Sequence, residues 1–392
     1  MGPLKGLTII EIAGLGPGPF AGMLLADMGA DVIRVERPGG GMFAAMQNPR
    51  LDVLNRNKRC ISINLKHSDG VDTLLRMLEK ADALLEGNRP GVMERLGAGP
   101  EQCLARNPAL VYGRMTGWGQ EGPMSGEVGH DINYIALAGA LHPIGRRGEK
   151  PAIPLNLVGD FGGGGLMLAF GMVCALLEAK QSGNGQVVDA AMINGAAALM
   201  ASTFAASQVD FWTDERGTNM LDSGAHFYEV YETRDGKYIA LGAIEPQFYA
   251  SLLERLGDDA AFFENQFDIE RWPEMKEQLA AIVRQKTRDE WDAIFAGSNA
   301  CYAPVLSMAE VRHHPHHQAR GTFWDDGDIW QPAPAPRFSR TPGSVRRDPA
   351  GIGEHSSEIL REMGFEERDI AARLASGAVH QLVPAAASDI DA

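Results

Sequence analysis

Short apolar runs alternate with helix-spaced segments along the first third of the chain. Residues 6–13 (GLTIIEIA) are rich in β-branched side chains and read as a strand. A Gly/Pro turn, a helix-like stretch at 19–28 and a second strand at 31–36 (DVIRVE) complete a β-α-β unit. Residues 60–65 alternate as a strand, 69–80 have helical spacing, 83–86 form a short strand, 100–107 a helix and 110–115 another strand. That alternation predicts a largely parallel, open α/β sheet. Past residue 222 the pattern changes. Residues 227–233 and 236–242 (GKYIALG) read as antiparallel strands joined by Arg234-Asp235-Gly236, with helices after them at 246–256, 273–285 and 288–295. The expected division is 1–221 as a large domain with linker helices and 222–322 as a smaller α+β domain. Residues 323–392 supply a return connector through Pro332, Pro334, Pro336 and Pro342, two short helices at 354–363 and 366–375, and a loose tail.

Composition narrows the function. The 392 residues are 45% hydrophobic and 22% charged, as in soluble globular proteins. A net charge of −15 disfavours nucleic acid or an anionic membrane as partner, so an anionic ligand needs a local basic patch. One stretch qualifies: Arg34, Arg37, Arg50, Arg56, Lys58, Arg59 and Lys66 share their segment with only Glu36 and Asp52, and read either as an ordinary basic face or as a phosphate-binding edge at the strand ends. The four cysteines are far apart, which argues against a disulfide scaffold or zinc ribbon and fits a reducing cytosol. No leader pattern marks residues 1–13, so a cytoplasmic protein is expected. The charge-free stretches 161–177 and 190–209 read as buried helices.

Three motifs mislead. Gly16-Pro17-Gly18-Pro19-Phe20-Ala21 fits a dinucleotide turn with Glu36 as the ribose acid, but Pro17 and Pro19 lack the N–H groups a pyrophosphate needs. Asp160-Phe161-Gly162 spells a kinase triplet without the rest of a kinase. His313, His314, His316 and His317 are interrupted by Pro315 and read as a solvated loop, not a metal site.

Four ionisable residues stand in turns at strand ends and helix starts: Glu86, His130, Asp160 and Glu245. Each also has a plain structural explanation. Asp160 and Glu245 suit helix N-caps or first turns, His130 a core histidine, and Glu86 a partner for Arg89. Four glycines follow Phe161 and permit close approach of backbone or ligand.

Ordered motifs from residue 4 to about 375 carry a resemblance. They include LKGLTIIEIAGLGPGPFAGMLLADMGADVIRVERP, NRNKRCISINLK, ALLEGNRPGVMERLG, YGRMTGWGQEGP, GHDINYIALAGALH, NLVGDFGGG, GQVVDAAM, GAIEPQFY and PAPRFSRTP. The chain resembles the family III coenzyme A-transferases (CaiB/BaiF-like) and, within them, the bacterial α-methylacyl-CoA racemases. The resemblance implies a Rossmann-like large domain built from both chain ends, a smaller α+β domain, and an interlocked homodimer. Its transferases use an aspartate that maps onto Asp160, whereas its racemases add the histidine of GHDINY, His130, and the glutamate of GAIEPQF, Glu245. It therefore implies inversion of 2-methylacyl-CoA thioesters through an enolate, with His130 and Asp160 as opposed acid/base groups. Glu86 would orient His130, Glu245 would bond Asp160 across the dimer, and the thioester oxygen would meet the Asp131 N–H. For coenzyme A it points to Arg37, Ile63, Asn64, Leu65, Lys66, Gly87, Asn88, Arg89, Arg95, Gly129, Ile132, Asn133 and Tyr134. Met192, Met200 and Met220 are candidates beneath the acyl chain. No metal or redox cofactor is implied, coenzyme A being part of the substrate. A CoA-transferase, a nicotinamide oxidoreductase and a CoA-sensing scaffold remain the alternatives. The tail past about 376 lies outside the pattern.

Overall fold

The computed structural model describes residues 2–40 and 49–383, and the tail expected to be loose lies mostly outside them. Among the described residues the strands are β1 (Thr8–Ile12), β2 (Asp31–Glu36), β3 (Arg59–Ile63), β4 (Ala83–Glu86), β5 (Val111–Thr116), β6 (Val187–Ala191), β7 (Tyr228–Glu232), β8 (Tyr238–Gly242), β9 (Tyr302–Val305), β10 (Phe323–Asp325), β11 (Trp330–Pro332) and β12 (Val379–His380). The chain divides into two units, the first made of Met1–Ala138, Leu155–Leu199 and Gly321–Ala392.

Seven strands of the first unit form one sheet in the order β12-β3-β2-β1-β4-β5-β6. β1 to β6 are parallel, and β12 adds an antiparallel edge strand beside β3. β12 falls where the sequence pattern offers only a tail. Alternate side chains leave opposite faces of the sheet. Ile9, Val32, Leu85 and Val111 pack under the helices Pro17–Asp27 and Met167–Ser182. Ile10, Ile33, Leu84 and Tyr112 pack under Ser68–Leu78 and Ser356–Glu362 on the other face. The order reverses between β1 and β4, so the loops leaving these two strands border the crevice where open α/β sheets bind ligands. Beneath the first helix the Lys58 ammonium is buried against the Glu11 carboxylate at 2.7 Å and also donates to Pro19 O at 3.0 Å.

Of the two charge-free stretches, the first lies in a continuous helix, Leu157–Ser182, which by length and composition alone is apolar enough to cross a membrane. One face of it rests on the sheet, with Leu168 and Met172 against Gly113. The opposite face leaves Leu166, Phe170 and Leu177 exposed, so the helix is not buried all round as expected. The second stretch begins in β6, where Ala190 and Ala191 pair with β5, and then runs through two short helices, Met192–Leu199 and Ala201–Ser207.

The second unit comprises Gly139–Pro154 and Met200–Arg320. Residues 139–154 and 200–221, expected with the large domain, belong here through hydrogen bonding. Arg216 donates to His142 O and Glu149 O at 2.6 and 2.5 Å and Arg147 pairs with Glu215 at 2.9 Å, which joins the two segments, and Arg146 pairs with Glu229 on β7, which ties them to the second unit's sheet. β7, β8 and β9 form an antiparallel sheet, closed between β7 and β8 by the Arg234–Gly236 turn with Gly236 at φ +70°. Phe227, Ile239, Leu241 and Trp291 fill its core.

Candidate active site

The segment that presents His130 is closed on itself. His130 has extended backbone at the N-cap of the helix Asp131–Leu137, and its N–H donates to Asn133 Oδ1 at 3.0 Å. The Tyr134 ring packs edge-on against Trp118, and its hydroxyl donates to Gly129 O. Gly117 and Gly129 have no room for a Cβ beside that ring. The imidazole itself is exposed, so His130 is not a core histidine.

Asp160 sits in a π-helical segment, Leu157–Leu166, and is half-buried. Such wide turns are over-represented at functional sites. Its N–H donates to Asp131 Oδ2 at 2.7 Å, and its own Oδ2 accepts from Asn156 Nδ2 at 3.1 Å. Burial pushes the carboxyl above the usual carboxylate range; the Asn156 hydrogen bond opposes the rise, the Asp131 charge adds to it, and the His130 imidazole opposes it. The glycines that follow serve packing more than ligand approach. A Cβ on Gly163 would stand 2.6 Å from Ala196 N, and one on Gly165 2.6 Å from Pro17 O.

Gly16, at φ +65°, caps the first helix with no side chain, and a Cβ there would lie 3.3 Å from Asp160 Oδ2. A carboxylate over this turn repels a pyrophosphate. Glu36 is buried, 4.0 Å from Arg34, and accepts the Arg37 N–H at 3.1 Å. Both observations count against a dinucleotide site.

Glu86 ends β4 fully buried. It accepts the Asn88 N–H at 2.6 Å and Arg114 Nε at 3.1 Å, so its cation is Arg114 and not Arg89. Burial raises its pKa, and those two partners oppose the rise. Among the described residues no ion pair within 4.0 Å joins it to His130. Glu245 is exposed at the N-cap of Pro246–Leu256 in the second unit, where its carbonyl, not its carboxylate, accepts Phe248 N and Tyr249 N at 2.9 Å.

The basic stretch is mostly structural. Arg34 faces Cys60, Glu36 and Asp52; Arg50 meets Asp326, Asp328 and Asp348; Arg56 holds Asp27; Lys58 holds Glu11; and Arg59 holds Asp31, Glu358 and Glu362. Arg37 and Lys66 are the two that stay exposed without a carboxylate partner among the described residues. They follow β2 and β3, and the exposed Arg89 follows β4, so these three cations stand at the carboxyl end of the parallel sheet. Arg95 is also exposed, in the short helix Val92–Arg95. Ile63 is buried at the end of β3, Asn64 N donates to Ala378 O at 2.9 Å, and Leu65 packs on the core. Gly87, Ile132 and Asn133 are exposed, and Asn88 and Gly129 half-buried. Met192 is buried in the first unit, whereas Met200 and Met220 line two cavities of about 840 and 1170 Å3 in the second. Of the four histidines at 313–317, His313 and His316 are exposed and His314 and His317 half-buried, on a turn and the short helix Pro315–Arg320. Sequence reasoning missed Arg114, Asn156 and the side chain of Asp131. Asn156 alone left a signal, four residues before Asp160.

Residues 4–356 match the family model for CoA-transferase family III. The chain belongs to CoA-transferase family III. It is 49% identical to the α-methylacyl-CoA racemase of Mus musculus over 94% of this chain and 95% of that one, and 46% identical to that of Homo sapiens over 94% and 95%. A CaiB/BaiF family protein from Brucella suis, 24% identical, superposes with a TM-score of 0.79 over 92% of this chain and 99% of that chain, which shows the fold. The large parallel sheet is thus a family III sheet.

Proposed function

We propose that this protein is an α-methylacyl-CoA racemase, an isomerase that interconverts the 2R and 2S forms of 2-methylacyl-CoA thioesters. The observation that supports the mechanism is the Asp160 N–H bond to Asp131 Oδ2, which ties the segment carrying Asp160 to the segment carrying His130, the two acid/base groups of this reading. The α-proton of a thioester is weakly acidic, so one group removes it while the enolate oxygen needs a donor. The Asp131 N–H, in a first helical turn where no intrahelical acceptor exists, supplies that donor. The second group returns a proton to the opposite face, and the two exchange roles with direction. Glu86 shapes the Gly87–Arg89 loop through its bond to Asn88 N–H. Arg37, Lys66 and Arg89 take the phosphates of coenzyme A.

The assembly proposed is an interlocked homodimer in which Glu245 of one copy completes the Asp160 site of the other. The exposed apolar residues Leu166, Phe170 and Leu177 support a protein partner on that helix. The second reading, CoA transfer through Asp160, rests on the family itself. Incubation of one acyl-CoA in deuterated water separates the two. Deuterium at C2 without an added acid acceptor supports racemisation. No exchange, with CoA passing to an added carboxylic acid, replaces it with transfer.

A further inference from the structure

The Asp131 side chain joins the two halves of the site. It stands first in the helix that His130 caps, it is 6% exposed, and its Oδ2 holds the Asp160 N–H at 2.7 Å. Gly159 leaves it room, since a Cβ there would lie 2.5 Å from Asp131 Oδ2. Its other oxygen, Oδ1, is buried with no hydrogen-bond partner. A buried carboxylate oxygen left unpaired opposes folding, and an amide oxygen would accept the same N–H. Fold stability alone therefore gives no reason for an acid here. Resting on the racemase reading, we propose that the Asp131 carboxylate is a positioning residue. It pins the Asp160 segment to the His130 segment and keeps a negative charge behind the Asp160 carboxyl.

The charge has a chemical use. Asp160 must hold a proton to act as acid and release it to act as base. Among the described residues of one copy the titratable groups around it are His130, Asp131 and Tyr134, to which the proposed dimer adds Glu245 of the partner subunit; Met192–Leu199 and the first turn of Pro17–Asp27 bring none. Within one copy Asp131 is the group whose charge favours the protonated carboxyl.

Asp131→Asn and Asp131→Ala separate tether from charge. Amide hydrogen exchange at Asp160 should stay slow in the Asn chain and accelerate at least tenfold in the Ala chain. Deuterium exchange at substrate C2 should fall about tenfold in kcat for Asn with KM within twofold, and at least a hundredfold for Ala. In the Asn chain the acid limb of kcat/KM should move to lower pH for the stereoisomer that needs ionised Asp160. The proposal is overturned if Asp160 amide exchange is alike in all three chains, or if both variants keep the wild-type kcat and acid limb. If the Ala chain does not fold, the acid limb of the Asn chain decides. Amide exchange needs no turnover, so it judges the tether even if wild-type protein fails to label C2, a failure that would belong to the racemase reading instead.

Discussion

The Glu86 carboxylate lies 3.1 Å from Arg114 Nε, on neighbouring parallel strands, with Glu86 fully buried and the Arg114 side chain 8% exposed. Removing one member of such a pair leaves the other charge buried and uncompensated. Arg114→Met should therefore destabilise the protein by about 3–5 kcal/mol in denaturant titrations. It should also weaken coenzyme A binding, measured calorimetrically, because Glu86 holds the Asn88 N–H beside Arg89. Unchanged stability would mean the pair is not coupled.

His130 is exposed and Asp160 half-buried, so neither is part of the core. His130→Ala and Asp160→Asn should melt within a few degrees of the parent and still bind coenzyme A. Each should lose at least ~100-fold in C2 exchange, the scale of a positioned acid or base. A scaffold or sensor would keep its function in both.

Gly22 has no space for a side chain: an added Cβ would sit 1.7 Å from Glu11 Oε2 and 3.0 Å from Lys58 Nζ. Gly22→Ala should cost about 1–3 kcal/mol by overpacking. Lys58→Met, which leaves Glu11 buried and unpaired, should cost about 3–5 kcal/mol. Equal midpoints for parent and variants in urea would refute this.

His226 is fully buried, and burial pushes its pKa below the ordinary 6.5 to about 4, with the Arg271 charge adding to the shift. The Tyr249 hydroxyl donates to Phe263 O at 2.8 Å, so His226 Nε2 must donate to Tyr249 at 2.7 Å, and Nδ1 is left without a partner. The unfolded chain takes up this proton at higher pH than the folded one. The stability due to the neutral ring is thus whole above pH 6.5 and is lost as pH falls towards 4, by roughly 3 kcal/mol in all. Urea midpoints of the second unit should fall across that window, and His226→Gln, which cannot titrate, should flatten the slope.

The parallel sheet was legible because β1, β2 and β4 are short apolar runs between turn residues, and Glu36 and Glu86 mark their ends. β6 was missed: Val187, Val188 and Asp189 lie at a sheet edge, Val187 and Asp189 exposed and Val188 half-buried, and no polar/apolar alternation in the sequence separates them from the apolar stretch after them. The π-helical turn around Asp160 was also hidden, since four glycines look like a loop until Gly195 and Pro17 are packed on them. Charge counting found the basic stretch but not its purpose. Asp27, Asp326 and Glu358 are distant in sequence from the arginines they neutralise, and only the folded chain brings them together.

The most direct test is a crystal structure with a bound 2-methylacyl-CoA. His130 and the Asp160 carboxyl should lie on opposite sides of C2, each within about 3–3.5 Å, with the thioester oxygen at the Asp131 N–H. A thioester whose C2 touches one of them while the other faces a separate cavity would contradict two-sided proton transfer.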